Sequence, residues 1–283
     1  HPLEAGGKKK PEQGSECVLI WKDSKKQEVQ AKVASPDDLL ALKLVAENLN
    51  LEKVAREQGV LVLDLKNILS KAVQKDLLLA PESKIVRNSS VVCKEQEWAC
   101  PRYSRANIFT LQWHVTQACD LHCRHCYDRS QRSKMPFEQA VAVLDKFKSF
   151  CDNRWVQGQV SFTGGNPLLY PKFASLYAQA SERGFILAIL GNPTERENLQ
   201  RLQEIQAPAF YQVSLEGLQE HNDWIRGAGH FKKVIDFLDL LGELSIPSRV
   251  MLTLTRENID QIIPLARELA GRADRFTFNR LSS

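Results

Sequence analysis

The pattern of apolar and polar positions changes character along the chain. After residue 107, short segments with the two-residue repeat of a strand alternate with segments in which apolar residues recur at helical spacing. The predicted strands cover 108–115, 159–163, 186–190, 211–215, 249–254 and 275–279, and the predicted helices cover 136–152, 171–183, 195–204, 231–244 and 259–271. This alternation predicts an α/β fold with a parallel sheet, whose functional site lies at the carboxyl ends of the strands.

A smaller domain is predicted ahead of this sheet, over residues 16–84. Its predicted elements are strands at 17–21 and 28–33, a helix that starts at Ser35, and helices at 50–59 and 64–76. Ser-Pro-Asp-Asp at 35–38 is a typical helix start. Two strands followed by three short helices predict a winged-helix-like α+β domain.

The remaining segments precede or connect these two domains. Residues 1–15 hold a lysine run, glycine and proline but few apolar residues, so we expect a disordered tail. Residues 85–106 are expected to form a linker to the second domain, which covers 107–283. The chain begins with His1 rather than Met, so we expect it to be a piece of a longer protein. It stops directly after the last predicted strand, so a further domain is either missing from this piece or not part of the protein.

Charge and composition exclude several classes of function. Residues 1–90 carry 15 Lys/Arg and 13 Asp/Glu, a balance that argues against a nucleic-acid-binding face. The sequence has no secretory signal and no apolar run of the ~20 residues that a membrane span needs. An odd count of seven cysteines in a chain with a large apolar fraction predicts a reducing cytoplasmic setting rather than a disulfide framework.

Three of the cysteines stand close together in the stretch CDLHCRHCYD, as Cys119, Cys123 and Cys126. A closed zinc site needs four ligands, usually in two separated pairs, and His122 or His125 would have to supply the fourth. An iron–sulfur cluster fits the crowded spacing better, because several thiolates must reach one compact cluster. With three cysteines for four irons, one iron keeps an open position for chemistry.

The spacing Cys-x3-Cys-x2-Cys, with His125 at the aromatic-type position before the last cysteine, resembles the signature of the radical S-adenosylmethionine (SAM) enzymes. The resemblance implies a partial (β/α)6 barrel, a 4Fe-4S cluster on Cys119, Cys123 and Cys126, and SAM chelated at the open iron by its amino and carboxylate groups. It also implies that the reduced cluster splits SAM into methionine and a 5′-deoxyadenosyl radical, with a flavodoxin- or ferredoxin-type protein as the electron donor.

Thr-Gly-Gly-Asn-Pro, after the second predicted strand, resembles the family's Gly-Gly-Glu motif, which holds the ammonium group of SAM. A glycine pair after a strand lets the backbone approach a ligand closely. The resemblance implies SAM contacts from Gly164, Gly165, Asn166 and Pro167. Asn166 stands where the family has a carboxylate, so a hydrogen bond from it lacks charge assistance.

Three further positions resemble SAM-binding residues of the family, each with a simpler alternative. Ser214 and Glu216 resemble a pair near the ribose, and the alternative is a strand end that faces solvent. Arg226 belongs to the pattern His-Asn-Asp-x-x-Arg-Gly and would contact SAM or a substrate carboxylate, unless it is a solvated turn residue. Asn258 is a SAM candidate or a helix N-cap.

Cysteines outside the motif are not assigned to the cluster. Cys151 lies on the apolar face of a predicted helix and is expected to be a small core residue. Cys93 and Cys100 in the linker are expected to be free thiols, with accessory cluster ligation as the alternative. No residue is assigned a catalytic role.

Within the family, the chain resembles peptide maturases, in particular the thio(seleno)oxazole-modification and selenobiotic types. The resemblance implies that the N-terminal domain is a peptide-recognition element, to which the leader of a precursor peptide adds as a strand. Such maturases usually continue into a cysteine-rich domain with auxiliary clusters, so the substrate peptide and the bond formed are not predicted. The alternatives are a radical SAM enzyme for a protein or small molecule, of the sulfatase-maturase kind, and a zinc-stabilised binding protein without catalysis.

Overall fold

The computed structural model describes residues 14, 16–22, 28–86, 105–126 and 135–280. Nearly all of the predicted tail and most of the predicted linker, with Cys93 and Cys100, lie outside the described residues. Backbone contacts divide the chain into two compact units, and the division falls between Glu82 and Ser83. None of the helices within the described ranges combines the length and the apolar character that a membrane crossing needs.

The first unit consists of a β-hairpin and three helices. Its elements are β1 (Val18–Lys22), β2 (Val29–Val33), α1 (Pro36–Ala46), α2 (Leu51–Gln58) and α3 (Val62–Gln74), and the two strands pair antiparallel. The element order is the one that the sequence predicts for a winged-helix-like domain. Its small buried core contains Leu44, Ala55, Val62 and Leu65.

Asp38 ties the hairpin to two of the helices. Its side chain is 2 % exposed and accepts hydrogen bonds from Lys32 Nζ of β2 at 2.6 Å and from Lys75 Nζ at the end of α3 at 3.1 Å. It also accepts from the backbone N–H of Ser35 in the capping box that starts α1. Burial alone would raise the pKa of Asp38, but the hydrogen bonds from Lys32 and Ser35 hold it well below its ordinary value.

The second unit contains a six-stranded parallel sheet in which the strands keep their chain order. Its elements are β3 (Ile108–Thr116), α4 (Phe137–Arg154), β4 (Gln157–Gly164), α5 (Phe173–Glu182), β5 (Ile186–Leu190), α6 (Arg196–Ile205), β6 (Tyr211–Ser214), α7 (Gln219–Arg226), α8 (His230–Glu243), β7 (Ser248–Leu254), α9 (Ile262–Glu268) and β8 (Arg275–Arg280). All six predicted strands are present. The prediction of an α/β fold is confirmed, and the arrangement is that of a partial (β/α)6 barrel.

Two helical elements differ from the sequence expectation. Helix α7 was not predicted, because its sequence QEHNDWIR has few apolar residues and buries only Asn222 and Ile225. The helix predicted at 259–271 is shorter and consists of a 3-10 turn at Ile259–Gln261 followed by α9. Pro264 lies in the first turn of α9, where a missing N–H breaks no helical hydrogen bond.

The sheet forms the core of the second unit. Val160 and Phe162 of β4 and Leu187 of β5 are completely buried, and the helices cover them with apolar side chains such as Leu144 of α4. Cys151 of α4 is buried in the same cluster, which confirms that it is a small core residue. Because all six strands run parallel, their carboxyl ends meet at one edge of the sheet.

We predict that Asp38→Asn destabilises the first unit by about 2 kcal/mol, because two lysines then lose a buried anionic partner. The folded-state pKa of Asp38 is depressed, so its contribution is complete at neutral pH and is lost as the pH falls below about 4. Amide hydrogen exchange over residues 29–75 measures both effects. Glu57→Gln, which removes an exposed partner of Lys53, is the control and should change protection little. Equal protection in the Asp38 and Glu57 variants would contradict the role given to Asp38.

Candidate active site

The cysteine loop, residues 117–126, follows β3 and contacts helix α7 of the barrel. Cys119 and Cys123 are half-buried, whereas Cys126 is exposed, and the N–H of Cys126 donates to the carbonyl of Cys123 at 3.2 Å. The N–H of Arg124 donates to the carbonyl of Ile225 in α7 at 2.9 Å, so a barrel helix holds the middle of the loop. Burial raises the pKa of the Cys123 thiol, against the opposing charge of Arg226.

The glycine pair at the end of β4 lies directly against the start of this loop. The N–H of Gly165 donates to the carbonyl of Thr116 at 3.0 Å, and the N–H of Asn166 donates to the carbonyl of Ala118 at 2.7 Å. A Cβ on Gly164 would stand 2.0 Å from the carbonyl oxygen of Thr116, and one on Gly165 would stand 2.3 Å from that of Ala118. Gly164 also has a φ of 137°. The close approach that the sequence predicted is therefore an approach to the protein's own backbone, immediately before Cys119.

Asn166 is buried beside the loop, and its side chain bonds to the protein itself. Its Oδ1 accepts from the N–H of Leu168 at 3.3 Å and so caps the 3-10 turn Pro167–Leu169. Its Nδ2 donates to Asp120 Oδ1 at 3.1 Å. Both polar ends of the amide are therefore occupied.

A second asparagine, which no sequence motif predicted as a site residue, reaches the same carboxylate. Asn192, after β5, donates from Nδ2 to Asp120 Oδ1 at 2.6 Å and also lies 3.5 Å from Cys119 Sγ. Its own carbonyl accepts from the hydroxyl of buried Tyr211 at 2.7 Å. The tripeptide Gly-Asn-Pro occurs after both β4 and β5, at 165–167 and 191–193. This repeat is the feature of the sequence that could have identified Asn192 as a site residue.

Glu216, at the end of β6, is completely buried and is the centre of a network of charges. Its Oε1 accepts from both Nε and Nη2 of Arg226 and lies 3.3 Å from His125 Nε2, and its Oε2 accepts from the N–H of Thr253 at 3.0 Å. Burial alone would raise the pKa of Glu216, but the hydrogen bond from His125 and the charge of Arg226 hold it below its ordinary value. Glu216 therefore does not face solvent, and its oxygens bind the protein's own groups.

Arg226 ends helix α7 and connects this network to the cysteine loop. Its side chain is 11 % exposed, so the alternative of a solvated turn residue is wrong. Besides its bonds to Glu216, its Nη1 lies 3.8 Å from Cys123 Sγ. An N–H group directed at a sulfur would stabilise a thiolate there.

Asn222 and Asn258 support the same network from neighbouring elements. Asn258 is completely buried, and its Nδ2 donates to the carbonyls of Glu216 at 3.1 Å and Thr253 at 2.9 Å. Asn222 accepts the N–H of Glu216 and contacts Nδ1 of His230, whose pKa is lowered to about 4 by burial. Both asparagines fix the carboxyl end of β6.

The predicted site residues thus gather at one edge of the sheet. Gly164 ends β4 and Gly165, Asn166 and Pro167 follow it. Ser214 ends β6, Glu216 lies two residues beyond it, and Arg226, Asn258 and His125 surround Glu216. Ser214 is half-buried and pairs with Met251 of β7 in the sheet register. Among the described residues, no group of three or more His, Cys, Asp or Glu is arranged to hold a single metal ion.

The sequence profile of the Radical SAM superfamily matches residues 113–269, which include the cysteine loop and most of the barrel. The chain belongs to the radical SAM superfamily. Membership disfavours the zinc-stabilised binding protein that the cysteine spacing had left open.

Several curated proteins are similar to the barrel. The Fe-coproporphyrin III synthase of Methanosarcina barkeri is 29 % identical over 168 residues, which cover 57 % of this chain and 41 % of that protein. The mycofactocin maturase MftC of Mycobacterium tuberculosis is 30 % identical over 172 residues, with 57 % and 41 % covered. The chain therefore spans about two fifths of the length of these relatives.

Solved structures show the same fold. SuiB of Streptococcus suis bound to the precursor peptide SuiA matches with a TM-score of 0.52 and 19 % identity, and the match covers 94 % of this chain and 62 % of that one. Histidine-tagged anSMEcpe with bound AdoMet matches with a TM-score of 0.52 and 16 % identity, over 62 % of this chain and 52 % of that one. The likeness to SuiB takes in residues from both units, because 94 % exceeds what the second unit alone contains.

Family membership implies a 4Fe-4S cluster and SAM as cofactors, and the residues at the sheet edge fit them. Three thiols lie on one loop, and N–H groups of Asn192 and Arg226 are directed at two of their sulfurs. His125 Nδ1 is buried without a hydrogen-bond partner among the described residues, so the site has an unused polar atom beside the loop. When bound, these cofactors would supply the radical chemistry of the superfamily. The barrel holds the loop through backbone hydrogen bonds from Gly165, Asn166 and Arg124.

We predict that Cys123→Ala abolishes cluster assembly, because a four-iron cluster would then keep only two of its three protein thiolates and lose the half-buried one in the middle of the loop. The measurement is iron per chain after oxygen-free reconstitution, which should fall from about four to near zero. Cys17→Ala is the control, since Cys17 is exposed in the first unit, and its iron content should not change. Full iron loading of the Cys123 variant would refute the ligand assignment.

We also predict that Gly165→Ala lowers iron incorporation severalfold, because a Cβ placed 2.3 Å from the carbonyl of Ala118 must displace the start of the cysteine loop. The matched control is Gly242→Ala in helix α8, where a Cβ meets nothing within 4 Å and should stabilise the helix slightly. Iron content and visible absorption measure the effect. Identical iron loading in both variants would mean that the loop tolerates the displacement.

Proposed function

We propose that this chain is a radical SAM maturase that modifies a ribosomally made precursor peptide, and that its first unit binds the leader of that peptide. The observation that carries the proposal is the open, apolar hairpin of the first unit. In the described part of the chain, β1 and β2 pair only with each other. Unpaired edge strands are templates for a further strand.

The exposed face of this hairpin has the composition of a peptide-binding surface. Ile20 is 61 % exposed, Val29 is 72 % exposed and Val33 is 46 % exposed. The antiparallel register pairs Ile20 with Ala31, Lys22 with Val29 and Val18 with Val33, so these apolar side chains share one face. A leader strand with alternating apolar residues would pair with the edge and cover part of this face.

The comparisons support a peptide substrate in two ways. SuiB, whose structure contains its precursor peptide SuiA, is similar to the chain over both units, and mycofactocin maturases are similar to the barrel. On this proposal the maturase is of the thio(seleno)oxazole or selenobiotic type, and a flavodoxin- or ferredoxin-type donor reduces the cluster. Cys119, Cys123 and Cys126 ligate the cluster, while the glycine pair, Ser214 and Arg226 border SAM.

A second candidate function is the modification of a tetrapyrrole. The Fe-coproporphyrin III synthase of M. barkeri is about as similar to the barrel as the mycofactocin maturases are. Such a small substrate would need no leader, so the exposed hairpin face would then have another role.

We predict that Ile20→Lys/Val29→Lys weakens leader binding about tenfold or more, because two apolar side chains no longer pack on the peptide. The probes are fluorescein-labelled leader segments from short open reading frames that adjoin the gene, and anisotropy gives the dissociation constants. Ile263→Lys is the control, since Ile263 is equally exposed at 61 % but lies on α9 of the barrel.

The same peptides also test the reaction. With reductant and SAM, a true precursor that carries deuterium at the modified residue should transfer deuterium into 5′-deoxyadenosine, and the hairpin variant should slow this transfer. If no peptide binds and coproporphyrin substrates alone raise 5′-deoxyadenosine formation, the second candidate replaces the first.

A further inference from the structure

Position 166 has an amide in place of a carboxylate, and the carboxylate of Asp120 lies 3.1 Å from that amide. We propose that Asp120 provides the negative charge that pairs with the amino group of SAM, in place of a carboxylate on residue 166. The proposal depends on SAM as the cofactor, which comes with family membership. It does not depend on the peptide substrate.

Asn166 itself is poorly suited as that partner. It is 4 % exposed, its Oδ1 accepts from Leu168 and its Nδ2 donates to Asp120. An amide also carries no charge, so it offers a cationic group only a neutral acceptor. Its position in the structure is that of a support for the neighbouring carboxylate.

Asp120 is held in place by two donors on one of its oxygens. Nδ2 of Asn166 at 3.1 Å and Nδ2 of Asn192 at 2.6 Å both bond to Oδ1. Among the described residues, Oδ2 has no hydrogen-bond partner, and the residue is exposed at the sheet edge. Two neutral donors orient the carboxylate without neutralising it, so the second oxygen stays available to a cation.

The position of Asp120 also suits the amino-acid end of SAM. Asp120 follows the first cysteine of the loop, and the Asn192 amide that holds its Oδ1 lies 3.5 Å from Cys119 Sγ. A group that binds the open iron of the cluster must lie within reach of that loop. Glu216, a second carboxylate beside the loop, is occupied by Arg226 and Thr253. Of these two carboxylates beside the described part of the loop, Asp120 is therefore the one with an oxygen that has no partner.

The test is calorimetric titration of three ligands into the reconstituted protein with its cluster oxidised, so that SAM is not cleaved. The ligands are SAM, S-adenosylhomocysteine, which keeps the amino acid but has a neutral sulfur, and methylthioadenosine, which lacks the amino acid. Asp120→Asn should weaken SAM and S-adenosylhomocysteine about ten- to hundredfold and leave methylthioadenosine unchanged. The control Asp236→Asn removes an exposed aspartate on α8 and should change none of the three.

A second variant places the charge at the family's position. Asp120→Asn/Asn166→Asp should recover most of the affinity for SAM, and it carries the test if Asp120→Asn alone assembles no cluster. Three results would overturn the proposal: unchanged SAM affinity in Asp120→Asn, equal loss of all three ligands, or a loss confined to SAM. The second result would assign Asp120 to loop structure, and the third would assign it to the sulfonium. Absence of peptide turnover has no bearing on these outcomes.

Discussion

The active-site edge depends on one backbone contact, in which the glycine pair that ends β4 lies against the segment that leads from β3 into the cysteine loop. Two hydrogen bonds, from Gly165 to Thr116 and from Asn166 to Ala118, fix where the loop begins. No side chain fits between them, since a Cβ on either glycine would overlap a carbonyl oxygen. Because parallel neighbours end at the same edge, this contact also brings residue 166 to the loop. The three cysteines are close together in sequence, but their placement follows from a contact between the ends of β3 and β4, which are neighbours in the sheet and distant in sequence.

Buried charged side chains fix the part of the active-site edge that lies around the end of β6. Glu216 has no contact with solvent, and a buried carboxylate is tolerated only when it is paired and hydrogen-bonded. Arg226, His125 and the N–H of Thr253 provide those partners from α7, the cysteine loop and β7. The network therefore joins three separate elements around one anion. Removing Glu216 and Arg226 from water costs free energy. The ion pair nevertheless fixes the cysteine loop in one arrangement, as a cofactor site requires.

Charge at the site is thus divided between two carboxylates with different tasks. Glu216 is enclosed and supports structure, whereas Asp120 is exposed, oriented by two amides, and open on one oxygen. The first unit differs from the barrel, since among the described residues β1 and β2 pair only with each other and carry apolar side chains exposed to solvent. The barrel has the features of a cofactor site, and the proposed peptide surface is on the hairpin.

Local pattern alone determined much of this protein. The six strands are recognisable because each side-chain repeat lies within a few residues, and the three candidate cluster cysteines are recognisable because all of them fall within 119–126. Helix α7 was not predicted because a mostly polar helix has no repeat of apolar residues at helical spacing. The partners of Asp120 and Glu216 were decided only by tertiary structure. Asn192 lies 72 residues from Asp120, and Thr253 lies 37 from Glu216. A hydrogen bond depends on distance in space, so no local pattern predicts that an amide after β5 and an aspartate after β3 will share one oxygen.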